Sequence, residues 1–164
     1  MDVTNAVLYT VEVAFDQSPE MRNIAGAVAA AINPQLQNIN ATLFRLETAF
    51  NARNQNHRKE SRNDRVHTGV ITAPYESLVK EVVGHPAGQN PNDPSLVALQ
   101  VPVPTGAALP ALVFFPAAGL PRGSVGNLTN IDIDDIEWFY NVRIPGANLN
   151  ARQTNLELFP AGLL

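Results

Sequence analysis

The residues with the widest chemical repertoire are three histidines, His57, His67 and His85, and a knot of acids, Asp132, Asp134, Asp135 and Glu137. A helical metal site presents a second histidine or a carboxylate three or four residues away, and these three, scattered through polar or loop sequence, are expected to lack both. Each is expected to be structural or simply exposed. The acid knot lacks the loop glycine and the alternating oxygen ligands of a calcium motif. It is explained as the first turns of a helix, whose dipole favours negative charge. Gly123-Ser-Val-Gly126 matches neither phosphate-binding fingerprint, because no Gly-Lys-Ser/Thr follows and no paired glycines open a helix. Ser124 has no visible base. With no cysteine in the chain, thiol catalysis, thiolate metal sites and disulfides are excluded together. The expectation is a protein that is not an enzyme and that uses no metal and no cofactor.

A second kind of chemistry is phosphate binding. Residues 51–67 carry five Lys or Arg against two acids, whereas residues 1–50 sum to -3 and the remainder to -4. Arg53, Arg58, Lys59, Arg62 and Arg65 are therefore the candidate nucleic-acid contacts. Glu60 and Asp64 dilute the stripe, and a pI near 5.3 argues against such a partner for the whole chain. The plainer reading is a solvated helix end that frays, its cations complementing the helix dipole.

The element that carries these residues has the clearest periodicity in the sequence. Ile32, Leu36, Ile39, Leu43, Leu46 and Phe50 follow spacings of 4, 3, 4, 3 and 4, the repeat that lays an apolar seam along a supercoiled helix. Phe44, Ala41 and Ala49 widen the apolar face, so packing inside the chain's own bundle is the competing reading. Upstream, Asn5 to Phe15 reads as helix, with Leu8, Val11 and Phe15 on one face, although its β-branched residues also suit a strand. Ser18-Pro19-Glu20 is a helix start, and Asn33-Pro34 marks either a second start or a kink.

Beyond Val66 the character changes, for most of the 13 prolines and 10 glycines lie there. Val66, Thr68, Val70 and Thr72 alternate as in a short strand, and Tyr75 to Val83 reads as a short helix or strand. Residues 86–95 read as an exposed loop. The apolar runs Leu96 to Val103 and Leu112 to Phe115, broken by prolines, suit extended straps rather than a continuous sheet. Thr129 or Asn130 caps a helix whose apolar face is Ile133, Ile136, Phe139 and Tyr140, and Pro145-Gly146 turns into a second helix that Gly162 stops. Trp138, Phe139 and Tyr140 exceed what about thirty residues can bury, so at least one must meet another part of the chain or a partner.

The block Asn5-Ala-Val-Leu-Tyr9, the long helix ending in Asn51-Ala-Arg-Asn54, the Pro-rich centre and Leu128-Thr-Asn-Ile-Asp-Ile-Asp-Asp-Ile-Glu-Trp-Phe-Tyr140, followed by Pro145-Gly146 and Arg152, resemble a fungal family. It is the one named after a meiotically up-regulated fission-yeast gene and is abundant in mushroom-forming fungi. The resemblance implies no particular activity. The terminal helix pair is also similar to a short two-helix DNA-binding module, but its first helix is acidic and only Arg143 and Arg152 remain as phosphate contacts.

Across 164 residues, 45% are apolar and only 16% charged. That is too apolar for disorder and too weakly charged for a surface without partners. No apolar run approaches the roughly 18 residues of a membrane span and no signal peptide is visible, so an intracellular protein, cytoplasmic or nuclear, is expected. The reading is a mainly α fold: a helical oligomerisation arm over residues 1–65, as a bundle or coiled coil, and a C-terminal unit over 66–164. The latter holds Pro-rich extended segments, short β and a terminal helix pair. The expected function is structural, as a subunit of a homo-oligomer of more than two chains. A nucleic-acid-associated regulator is the alternative.

Overall fold

The computed structural model describes residues 19–99 and 103–162, and its fold is mainly helical. Two compact units divide the chain, Met1–Glu47 and Thr48–Leu164, so the expected division at residue 65 falls inside the second unit. The helix expected over Asn5 to Phe15 lies outside the described residues.

Helix α1, Pro19–His67, begins where Ser18-Pro19-Glu20 places it and runs for 49 residues. Pro34 sits inside it, so the Asn33-Pro34 signal is not a second start. A proline there removes one backbone bond and leaves the helix continuous when the flanking turns hold it.

In the second unit the end of α1 does not fray. Ala52, Asn56, Asn63 and Val66 are buried along one stripe, reversing the expectation of a solvated end. Residues 74–83 run as an extended strap against that stripe, in the opposite direction. Asn56 donates from Nδ2 to the Val79 carbonyl at 2.8 Å and accepts from the Val79 N–H at 2.7 Å. Two helical turns on, Asn63 does the same with Glu76, at 3.0 and 2.7 Å. The match is geometric, because seven helical residues rise about 10.5 Å and three extended residues span about 10 Å. Between them Lys59 Nζ donates to the Ser77 carbonyl at 2.6 Å. A side-chain amide carries the same donor and acceptor as a peptide group, so the two asparagines satisfy a strap whose neighbour is a helix.

On its other edge the strap makes two isolated antiparallel bridges, Tyr75 with Leu120 and Val79 with Ala108. Val66 and His67 finish α1, and Thr68 to Ile71 form a turn and bend, not the expected strand, because Gly69 at φ 78° closes the end of the helix. The loop after Gly84 contains a one-turn helix α2, Pro94–Val97, capped by Asp93. A 3₁₀ turn at Arg122–Asn127 leads into α3, Asn130–Tyr140, and α4, Leu149–Leu158, ends in a second 3₁₀ turn with Gly162 left-handed at φ 71°.

Helix α3 is the hub of the core. Thr129 caps it through a full capping box with Asp132, and Asn141 closes it at φ 54°. Ile133, Ile136, Phe139 and Tyr140 are buried as expected, and so is Trp138. The three successive aromatics are covered from different directions by the same chain. Trp138 donates its indole N–H to the Gln89 carbonyl at 3.1 Å and stacks on His85 at 4.6 Å between ring centroids. The Tyr140 hydroxyl reaches the strap at Leu78 O, 2.8 Å, and Ser77 Oγ, 3.0 Å.

Candidate functional site

The most conspicuous surface feature is the apolar face of α1. Every member of the predicted seam lies in the helix, and Ile32, Ile39, Leu43, Leu46 and Phe50 are 39%, 54%, 58%, 61% and 65% exposed, with Leu36 half-buried. At about 100° of rotation per residue these six side chains fall within one narrow stripe. The residues beside it, Asn33, Gln35, Asn40 and Thr42, are uncharged.

The five candidate phosphate contacts do not gather into one surface. Lys59 is held by Ser77, and Arg62 pairs with Glu76 at 2.7 Å. Arg53, Arg58 and Arg65 are exposed, and Arg53 points away from the other two by the rotation of the helix.

The histidines serve separate local roles. His57 does have a carboxylate three residues on, Glu60, at 4.0 Å, with the imidazole 82% exposed. His67 Nδ1 lies 3.5 Å from the Tyr75 hydroxyl, and His85 covers Trp138. Among the described residues no group of three His, Cys, Asp or Glu is placed to hold a metal ion.

Two ionisable groups are buried where sequence reasoning did not place them: Lys80, which it passed over, and Asp135, which it read as one of the acids of a helix start. Lys80 is fully buried, donates from Nζ to the Phe139 carbonyl, and lies 5.6 Å from the centre of the Phe139 ring. That carbonyl is one of the last in α3, which has no intrahelical donor left for it. The ammonium thus caps the negative end of the helix dipole, while desolvation lowers its pKa from 10.5 to about 8. Asp135 is 1% exposed and accepts the Asn92 and Asp93 N–H groups at 2.5 and 2.9 Å, fixing the loop before α2. Burial pushes its pKa up and the two backbone bonds oppose the shift. Lys80 does not stand out in sequence, and for Asp135 the acid knot was read as helix-dipole charge, which does not reveal which of its acids turns inward.

The acid knot divides its labour. Asp132 belongs to the capping box, and Arg152 binds Asp134 at 2.7 Å, Glu137 at 3.2 Å and Asn130 at 2.9 Å, tying α4 to α3. A polar hollow of about 320 Å³ beside Asn90, Asn92 and Trp138 therefore has its two carboxylates already engaged. A larger cleft of about 590 Å³ opens by the end of α1, lined by Pro, Gly and aliphatic residues with Thr72 and Arg122 as its polar side chains.

Compared with protein-family models, curated proteins and solved structures, the chain matches none. Among the described residues no helix is long and apolar enough to cross a membrane.

Proposed function

We propose that this chain is a non-enzymatic structural subunit whose α1 seam joins copies into a homo-oligomer of more than two chains. The observation that supports the reading is the exposure of five large apolar seam residues, up to 65% for Phe50, on a helix whose other end is firmly packed. Fully burying one such side chain is worth about 1.5–3 kcal/mol, so covering the stripe is strongly favourable. Leu36, Leu43 and Phe50 occupy the first core position and Ile32, Ile39 and Leu46 the second, and Leu at the first with Ile at the second favours three or four strands over two in parallel coiled coils.

Light scattering after size exclusion tests the reading. A mass well above 17.7 kDa is expected, and the mass of one chain overturns it. Leu43→Asp is expected to dissociate the assembly without unfolding the chain, because Leu43 is 58% exposed in the single copy. Unchanged far-ultraviolet circular dichroism at the lower mass distinguishes dissociation from misfolding.

A further inference from the structure

Spacing, side-chain size and charge along α1 also determine how two copies meet. The stripe continues towards the helix N-terminus through Val28, Ala25 and Met21, with Met21 and Val28 47% and 42% exposed. Pro34 falls on the opposite side of the helix, so a bend there leaves the stripe unbroken. From Met21 to Phe50 the positions are 21, 25, 28, 32, 36, 39, 43, 46 and 50. Reversed end for end about the Gln35–Leu36 bond, this set superimposes on itself except at Leu36.

We infer that the seam pairs antiparallel with a second copy of this chain, about a two-fold axis at Gln35–Leu36; this rests on the assembly reading above. In that arrangement Ala25 faces Leu46, Val28 faces Leu43, Ile32 faces Ile39 and Met21 faces Phe50. The two smallest members, Ala25 and Val28, each meet a leucine, so the layers differ less in volume than in parallel pairing. Parallel, in-register pairing sets Ala25 on Ala25 and Phe50 on Phe50, a void at one end and crowding at the other.

Charge agrees with size. The stretch from Asn23 to Phe50 holds one cation, Arg45, and one anion, Glu47. Parallel pairing brings each beside its own copy, and stacks the two basic stretches that begin at Arg53. Antiparallel pairing sets the two Glu47 about 35 Å apart along the axis and the two Arg53 about 50 Å apart, well beyond the screening length of about 8 Å. A two-fold requires an even number of chains, so an assembly of more than two is a tetramer built from such pairs.

The absence of cysteine makes the test clean. Under air oxidation the double variant Ala25→Cys, Leu46→Cys is expected to form interchain disulfides, while neither single variant links to itself. Residues 25 and 46 of one helix are about 30 Å apart, so no disulfide forms within a chain. A spin label at Ala25→Cys is expected to report about 30 Å between copies. Self-linking of either single variant, the absence of a label distance near 30 Å, or a trimer mass overturns the antiparallel pairing and leaves the assembly reading standing. An oligomer in which the double variant does not link also overturns the pairing. A wild-type mass of 17.7 kDa overturns both.

Discussion

Asn63, itself buried, makes three bonds with one amide, to the Glu76 N–H, the Glu76 carbonyl and the Pro160 carbonyl at 2.8 Å. Asn63→Ala leaves these groups without partners and is expected to cost about 2–4 kcal/mol in chemical denaturation. Asn63→Asp keeps the acceptor but turns a carboxylate onto two carbonyl oxygens, which favours its protonated form when folded. Its pKa is then higher folded than unfolded, so this variant is expected to gain stability as pH falls, unlike Asn63→Ala. Lys80 has the opposite linkage. Folded, it gives up its proton near pH 8, whereas the unfolded chain holds it to about 10.5, so the unfolded state binds more protons between those values. Stability is expected to rise with pH across that window, measured from about pH 8 to 9, below the range in which tyrosines titrate, and Lys80→Met is expected to remove the rise. At pH 7 the methionine variant is expected within about 1 kcal/mol of wild type, because removing a buried charge offsets the loss of its bond to Phe139. None of this was legible beforehand: Asn56 and Asn63 sit in a run of polar residues, and composition cannot reveal which of them faces a strap that follows in sequence.

Elements were more readable than their partners. Pro19, Thr129 with Asp132, and Gly162 announced helix ends because the signals at helix ends are local chemistry, within about four residues. Thr129→Ala is expected to cost about 1 kcal/mol by removing that cap, read from thermal or urea unfolding. The straps were legible only as extended, since an isolated bridge depends on a residue far along the chain. Gly119 illustrates this: at φ 95°, a Cβ there would collide with the Tyr75 carbonyl that accepts the Leu120 N–H. Gly119→Ala is expected to cost about 2–4 kcal/mol by forcing that bridge apart, while Gly123→Ala, with open space around it, is expected to be neutral. The alternation from Val66 to Thr72 misled because Val66 packs as the last turn of α1, so its burial has a helical cause.

For the whole molecule, the mainly helical class and the long helix followed from periodicity, which survives any tertiary context. What periodicity does not separate is an apolar stripe packed inside the chain from one that meets another copy; Leu43 and Phe50 are 58% and 65% exposed. The weak overall charge fits the same picture, for little repulsion keeps copies apart. High salt is therefore expected to leave the oligomer mass unchanged from about 0.05 to 0.5 M, since the proposed seam is apolar and the stretch from Asn23 to Phe50 holds only Arg45 and Glu47 as charges; a mass that falls with salt contradicts an apolar seam.

The bond from Asn63 to Pro160 closes a separation of 97 residues. At about 5–20 residues per second, a ribosome that has just made Asn63 needs roughly 5–20 s more to supply its last partner. Helix α1 therefore emerges with its seam complete long before the strap beneath its other end can be locked. Neighbouring nascent chains on one message have that interval in which to find each other, so pairing is expected to precede completion of the fold.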